Sequence, residues 1–144
     1  MSDFNVVLNL VLSFILGGAI GWLREKEGKT AGLRTHILVT VGSALFTLVS
    51  AEMLLRSGTA DPGRIAAGVV TGIGFIGAGC IVQARGGVRG ITTASSIWAA
   101  SAIGIACGMS YYLGAIVTTL IAMITLHLLR VVEKKIIKTK DSGE

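Results

Sequence analysis

Long apolar segments alternate with short polar or glycine-containing breaks along this 144-residue chain. An α-helix needs about 20 residues to cross the roughly 30 Å hydrocarbon core of a bilayer. The segments have about that length, and we predict transmembrane helices at residues 4–23, 36–55, 65–84, 91–108 and 112–129. The last two come from one uncharged run that is too long to cross once without large mismatch. The predicted fold class is therefore an all-α membrane protein with five transmembrane helices.

The stretch at residues 61–94 is predicted to organise the bundle, with the other helices packed around it. Asp61 is placed to cap the third helix, and Pro62 suits its first turn. In lipid, helix faces without side chains let neighbouring backbones approach closely. The glycines expected to serve this packing are Gly68, Gly72, Gly74, Gly77 and Gly79.

Two faces within the apolar segments are polar. In the first segment, polar or small residues recur every four positions: Asn5, Asn9, Ser13, Gly17 and Gly21. In the second segment they recur at steps of four and three: His36, Thr40, Ser43, Thr47 and Ser50. Both spacings place the residues on a single helical face. Such a face either bonds to neighbouring helices and its own backbone carbonyls, or lines a path for an ion or proton.

Composition and charge agree with a membrane protein. Apolar residues make up 52% of the chain and charged residues 15%, which together with long uncharged runs indicates an integral membrane protein. Eleven of the 13 Lys and Arg residues fall on one side of the predicted bundle, and only Arg56 and Arg64 fall on the other. The positive-inside rule then places the N-terminus outside and the C-terminus in the cytoplasm. This distribution does not indicate nucleic-acid binding, and the GxGxxG match at residues 72–77 lacks the downstream acidic residue of a dinucleotide site.

The loops on the predicted cytoplasmic side contain a candidate polar cluster. Its members are Glu25, Arg34, Thr35, Arg89, Thr92 and Thr93, with Arg24, His36 and Arg85 in the same loops. One interpretation is anchoring by the arginines, with Glu25 paired to one of them and Thr92 capping the fourth helix. The other is a shallow anion or protein-docking pocket, because Arg presents forked donors beside a helix N-terminus.

The opposite side contains a predicted outer cluster of Glu52, Arg56, Asp61 and Arg64. It is either helix capping with a surface ion pair, or an external cation site formed by Glu52 and Asp61. No Asp or Glu lies near the middle of a predicted helix, where a divalent-cation transporter usually places carboxylates or unwound carbonyls. Only a third helix broken near Gly74 would supply such carbonyls. We predict no catalytic residue, no metal site and no cofactor.

Three stretches in this order carry a family resemblance: REKEGKTAGLRTH at residues 24–36, DPGRIAAGVVTGIGFIGAG at 61–79 and VRGITTASSIWAASAIGIACG at 88–108. Together they resemble the MgtC/SapB family, also called MgtC/SapB/YhiD, of bacterial inner-membrane proteins, over residues 10–113. The resemblance implies a five-helix membrane domain linked to adaptation to low magnesium and, in pathogens, to survival inside macrophages. The motif positions that it carries over are Glu25, Arg34, Thr35, Asp61, Arg64, Arg89, Thr92 and Thr93.

The resemblance also implies a function. Family members are generally regarded as regulators that act on other membrane proteins, including the ATP synthase, and not as established magnesium pumps. Many continue into a soluble C-terminal domain, whereas we expect here a membrane domain at residues 1–130 and a short basic tail at 131–144. The leading hypothesis is a non-enzymatic regulator that contacts the lipid bilayer, other membrane proteins and a second copy of itself in a homodimer. The alternatives are a magnesium or other cation transporter, and an anion-sensing pocket around Arg34 and Arg89.

Overall fold

The structure is a computed structural model that describes residues 2–59, 61–84 and 87–129. Within these residues the helices are α1 (Asp3–Lys26), α2 (Leu33–Ser57), α3 (Pro62–Gly79), α4 (Ile91–Gly108) and α5 (Tyr112–Ile124), and a π-helical turn (Thr125–Leu129) extends α5. Strands β1 (Val82–Ala84) and β2 (Gly87–Arg89) form an antiparallel hairpin between α3 and α4. Arg85 and the predicted tail at residues 131–144 lie outside the described residues.

Capping groups and glycines mark the helix ends. The Asp61 carboxylate accepts the Gly63 N–H at 2.8 Å and caps α3, as predicted. Gly58 ends α2 with a φ of 68°, a left-handed conformation that glycine adopts without strain. Gly90 precedes α4 with a φ of 94°, and no side chain caps that helix. The prediction that Thr92 caps the fourth helix is therefore wrong.

The third predicted helix extends to residue 84, whereas α3 ends at Gly79 and the hairpin follows. The residues around the turn include β-branched valines, which favour extended backbone. The carbonyl group of Cys80 occupies the space that a Cβ on Gly90 would need, so the two ends of the hairpin lie against each other. The all-α prediction is correct for the helices but missed this short sheet.

Helices α2 and α4 lie at the centre of the bundle. α2 packs along α1 and α4 and also contacts α3, while α5 packs on α4 and α1. The prediction that the other helices pack around α3 is therefore wrong. The close contacts involve glycines of α1 and α4, because a Cβ on Gly21 would lie 2.7 Å from Leu33 Cα and one on Gly108 would lie 2.7 Å from the Ala44 carbonyl oxygen. Backbones approach this closely in a membrane where side chains are missing.

The interior of the bundle is more polar than its surface. Among the described residues, 12 buried side chains are polar or charged and ten are apolar. Large apolar side chains point outward, with Phe75 84%, Phe4 74% and Leu38 72% exposed. A bilayer solvates such a surface and water does not. The molecule is thus a helical membrane protein.

Helix length separates two groups among the described residues. By length and apolar composition, α1, α2 and α4 are long enough to cross a bilayer. The other two apolar helices, Gly63–Gly79 and Tyr112–Leu128, are shorter. A membrane topology with five crossings stays a prediction.

Contacts between the helices define two ends of the bundle. The hairpin end contains the C-terminus of α1, the N-termini of α2 and α4, and the β-hairpin, because Arg24 contacts Thr93 there. At the opposite end, Asn9 of α1 contacts Ser110 and Tyr112, between α4 and α5. Helix α1 therefore runs antiparallel to α4.

Candidate functional site

A buried arginine joins α1 to α4 at the hairpin end. Arg24 lies in the last turn of α1 and is only 1% exposed, so its side chain is inside the bundle and not at the lipid interface. Its Nη2 donates to the Thr93 hydroxyl at 2.7 Å. A buried guanidinium is tolerated where polar groups replace its water. In the structure these two members of the predicted loop set meet inside the bundle.

A buried histidine of α2 contacts α4 close to Thr93. His36 is fully buried, and its Nδ1 lies 2.8 Å from the Gly32 carbonyl oxygen, one turn earlier in the chain. Its Nε2 lies 3.1 Å from the Ser96 hydroxyl of α4, and that hydroxyl also lies 2.8 Å from the Thr93 carbonyl oxygen. Arg24, His36, Thr93 and Ser96 therefore form one buried polar network, here named the hairpin-end network, in which the Thr93 side chain contacts Arg24 and the Thr93 backbone carbonyl contacts Ser96.

The rest of the predicted cytoplasmic cluster does not join this network. The Glu25 carboxylate accepts the Leu33 N–H at 2.8 Å, so it caps α2 across the loop and forms no ion pair with an arginine in the described part of the chain. The remaining four members are exposed or half-buried: Arg34, Thr35, Arg89 and Thr92. The structure brings Thr93 inside and leaves the other five apart from it.

The polar face of α2 is buried in the bundle. Thr40 donates to the His36 carbonyl at 2.7 Å, and Thr47 donates to the Ser43 carbonyl at 2.8 Å. The hydroxyls of Ser43 and Ser101 share a hydrogen bond of 3.0 Å between α2 and α4. These contacts match the interpretation as bonding between helices and to the helix backbone, one of the two that the sequence left open.

The glycines of α3 are mostly uncovered. A Cβ on Gly77 would lie 3.5 Å from the Ala94 Cβ of α4, an ordinary packing distance. The other four predicted packing glycines have no neighbouring atom within 4 Å of a built Cβ: Gly68, Gly72, Gly74 and Gly79. α3 runs as a continuous helix through Gly74, so the broken helix that would supply cation-binding carbonyls does not form. Packing by this face on another molecule stays a prediction.

Apolar grooves border α3. One of about 570 Å³ lies between α2 and α3, and Gly42, Gly68 and Gly72 are among its lining residues. A second, of about 300 Å³, lies between α3 and α4 and includes Gly74 and Trp98. The backbone of α3 is therefore accessible beside both of its neighbours.

The predicted outer cluster separates into two local interactions. Arg56 Nε donates to Glu52 Oε1 at 2.9 Å, in an exposed pair one helical turn apart. Asp61 caps α3, and Arg64 is exposed. These contacts match the interpretation as capping with a surface pair. Within the described residues, no group of three or more His, Cys, Asp or Glu side chains is placed to hold a metal ion.

Sequence reasoning missed a polar contact at the opposite end. The Tyr112 hydroxyl donates to Asn9 Oδ1 at 2.8 Å, and Asn9 Nδ2 donates to the Ser110 hydroxyl at 3.1 Å. Asn9 was placed on a polar face, but nothing in the sequence indicated its partners 101 and 103 positions away. This contact ties α1 to the connection between α4 and α5.

Comparisons with known proteins place the chain among relatives. The sequence profile of the MgtC family matches residues 10–135. Protein MgtC of Salmonella typhimurium (strain LT2) is 39% identical over 144 residues, which cover 100% of this chain and 61% of the relative. A protein of Escherichia coli (strain K12) named putative magnesium transporter YhiD is 47% identical over 124 residues, covering 80% of this chain and 58% of the relative. Protein MgtC of Brucella abortus (strain 2308) is 43% identical over 118 residues, covering 82% and 48%.

The match to the family covers most of the helical bundle. The chain spans about half to three fifths of the length of the curated relatives that it matches. No solved structure matches it. Because the profile covers most of the chain and includes every helix of the bundle except the start of α1, the chain belongs to the MgtC family.

Proposed function

We propose that this chain is a multi-pass protein of the bacterial cytoplasmic membrane that acts as a non-enzymatic regulator in adaptation to low magnesium. Family membership supports the link to magnesium, since a relative from Escherichia coli is named a putative magnesium transporter. The distribution of Lys and Arg supports an external N-terminus and a cytoplasmic hairpin end. In this topology all five helices cross the bilayer, and α3 and α5 cross it as short helices.

The observation that carries the proposal is the uncovered glycine face of α3. Gly68, Gly72 and Gly79 are exposed, and Gly68 and Gly72 line the open groove between α3 and α2. Interfaces between membrane helices are enriched in small residues, because close backbone contact replaces the missing hydrophobic driving force. We propose that helices of partner membrane proteins, and of a second copy in a homodimer, pack on this face.

The interior of the bundle supports a regulator more than a conductor. The hydroxyls of Thr40, Ser43 and Thr47 are bonded to backbone carbonyls or to α4. Glycines of α1 and α4 press on the same face, since a Cβ on Gly17 would meet the Thr40 side chain. A cation that leaves water needs space beside its oxygen ligands, and Gly17 and Gly108 pack against the Thr40 and Thr47 side chains.

Co-purification from native membranes tests the regulator. A Cβ on Gly72 has no neighbouring atom within 4 Å, so we expect Gly72→Leu to fold and to lose the partner proteins and growth at low magnesium. Ala102→Leu is the matched control, because it places the same leucine side chain on an exposed position of α4. Partner binding retained by Gly72→Leu, together with lost growth, would contradict the proposal.

The second candidate function is cation transport, favoured by the name of the Escherichia coli relative. The polar face of α2 would then line the path. Purified chain in liposomes should pass magnesium, and Ser43→Ala should slow the flux because it removes the hydroxyl that links α2 to Ser101. An absence of flux in liposomes that contain correctly folded chain would remove this candidate.

A further inference from the structure

The hairpin-end network contains a serine hydroxyl with two acceptors in reach. Ser96 Oγ lies 3.1 Å from His36 Nε2 and 2.8 Å from the Thr93 carbonyl oxygen. A hydroxyl has one hydrogen to donate and lone pairs with which to accept. Ser96 therefore donates to one of the two groups at a time.

The other ring nitrogen of His36 fixes the tautomer of the neutral ring. Its Nδ1 faces the Gly32 carbonyl at 2.8 Å, and because a carbonyl only accepts, Nδ1 carries a hydrogen. In the neutral ring, Nε2 is then an acceptor and takes the hydrogen of Ser96. In the cationic ring, Nε2 donates to Ser96, and Ser96 turns its hydrogen to the Thr93 carbonyl. The geometry satisfies the ring in both protonation states.

The charged groups around the His36 ring determine the electrostatic effect of protonating it. From α1, Arg24 reaches the same part of α4, where its Nη2 donates to Thr93, and Glu25 caps α2 at Leu33. α4 faces the ring with the hydroxyl of Ser96, and the charged residue of α3, Arg64, lies at the far end of that helix. A protonated ring would therefore be a second buried cation close to Arg24, and like charges repel strongly where water is excluded.

We propose that His36 is a proton-binding site whose protonation weakens the contact between α1 and α4 at the hairpin end. The step is the binding of one proton at Nε2, with the hydrogen of Ser96 transferred from one hydrogen bond to another and no covalent bond otherwise changed. Repulsion then acts on Arg24, the side chain that joins the last turn of α1 to Thr93. The proposal depends on contacts within this chain and not on the regulator's partner.

The distance between α1 and α4 tests the proposal. Spin labels are placed on the exposed positions Lys26 and Thr92 in a chain whose two cysteines, Cys80 and Cys107, are replaced by serine. On acidification of the purified chain in nanodiscs from about pH 8 to about pH 5, the range in which histidine changes charge, we expect a longer-distance population to grow about tenfold. Distances that do not change over this range would overturn the proposal.

The two histidines of the chain supply a matched pair of variants. His36→Gln removes the titrating group, and we expect the distance to become independent of pH. His127→Gln is the control, because that ring is exposed and lies in the π-helical turn after α5, 3.2 Å from Glu27. A pH response that survives His36→Gln, or that disappears with His127→Gln alone, would refute the assignment.

Two further measurements keep the proposal testable if His36→Gln does not fold. The imidazole nitrogen chemical shifts of the unmodified chain should show His36 becoming doubly protonated while the helices remain folded; a ring that stays neutral until unfolding would overturn the proposal. Arg24→Gln should leave that titration in place but remove the opening, because the repelling charge is gone. An opening that persists in Arg24→Gln would contradict the mechanism.

Discussion

Adding one methyl group at Gly104 should destabilise the bundle, whereas the same change at Gly72 should not. Gly104 lies where α4 crosses α2, and a Cβ there would meet the Thr40 carbonyl, with Ser43 Cβ at 2.8 Å and Thr40 C at 3.0 Å. Gly72 has no neighbouring atom within 4 Å of a built Cβ. The pair therefore separates the effect of packing from the effect of the substitution itself.

The structure sets the size of the difference. Overpacking a filled interior costs about 1–3 kcal/mol, and the atoms that Gly104→Ala meets belong to the α2 backbone and a Cβ, which cannot rotate away. We therefore take the upper value, about 3 kcal/mol. In both variants alanine also favours the helix by about 1 kcal/mol. Gly104→Ala should thus lose about 2 kcal/mol, and Gly72→Ala should gain up to about 1 kcal/mol.

Reversible unfolding in mixed micelles, followed by helical circular dichroism, measures both variants against the unmodified chain. The expected separation of about 3 kcal/mol corresponds to more than about a hundredfold in the unfolding equilibrium constant. A Gly104→Ala variant as stable as the unmodified chain would refute the close contact between α4 and α2. Equal losses in the two variants would show that the α3 face is covered.

The same unfolding measurement checks three smaller effects. Asp61→Ala removes the N-cap of α3 and should cost about 1 kcal/mol; no loss would mean that the cap does not stabilise the helix. Tyr112→Phe deletes the donor to Asn9 and should cost about 1 kcal/mol, and an unchanged midpoint would argue against that contact. Glu25→Ala leaves the α2 N-terminus uncapped and should cost about 1–2 kcal/mol, whereas the exposed control Arg34→Ala should stay within about 0.5 kcal/mol.

Element type and helix caps were predictable from local patterns. Segment length and the absence of charge place four of the predicted helices close to those of the structure, and Asp61 marks the start of the third. The spacing of His36, Thr40 and Thr47 correctly places them on one face, because helical periodicity depends only on the chain itself. The early end of α3 was not predictable, since it depends on the contact between Cys80 and Gly90 across the hairpin.

The candidate site was less predictable than the fold. Arg24 was assigned to a loop by its charge and His36 to the start of the second helix, yet both are buried between helices. Arg34 and Arg89 look equivalent to Arg24 in sequence and are exposed. Burial of a charged side chain depends on which hydroxyls and carbonyls a neighbouring helix brings within about 3 Å, and no local pattern contains that information.

Local sequence patterns identify a lipid bilayer as the surroundings of this protein and the α-helix as its main element. They do so because bilayer thickness and the need to satisfy backbone groups act on every apolar segment separately. The same patterns also determine which residues share a helical face. The tertiary structure alone decided which faces meet. Gly104 of α4 and Gly72 of α3 are alike in sequence, and one presses on α2 while the other lies open. The difference arises because packing is a property of two surfaces together.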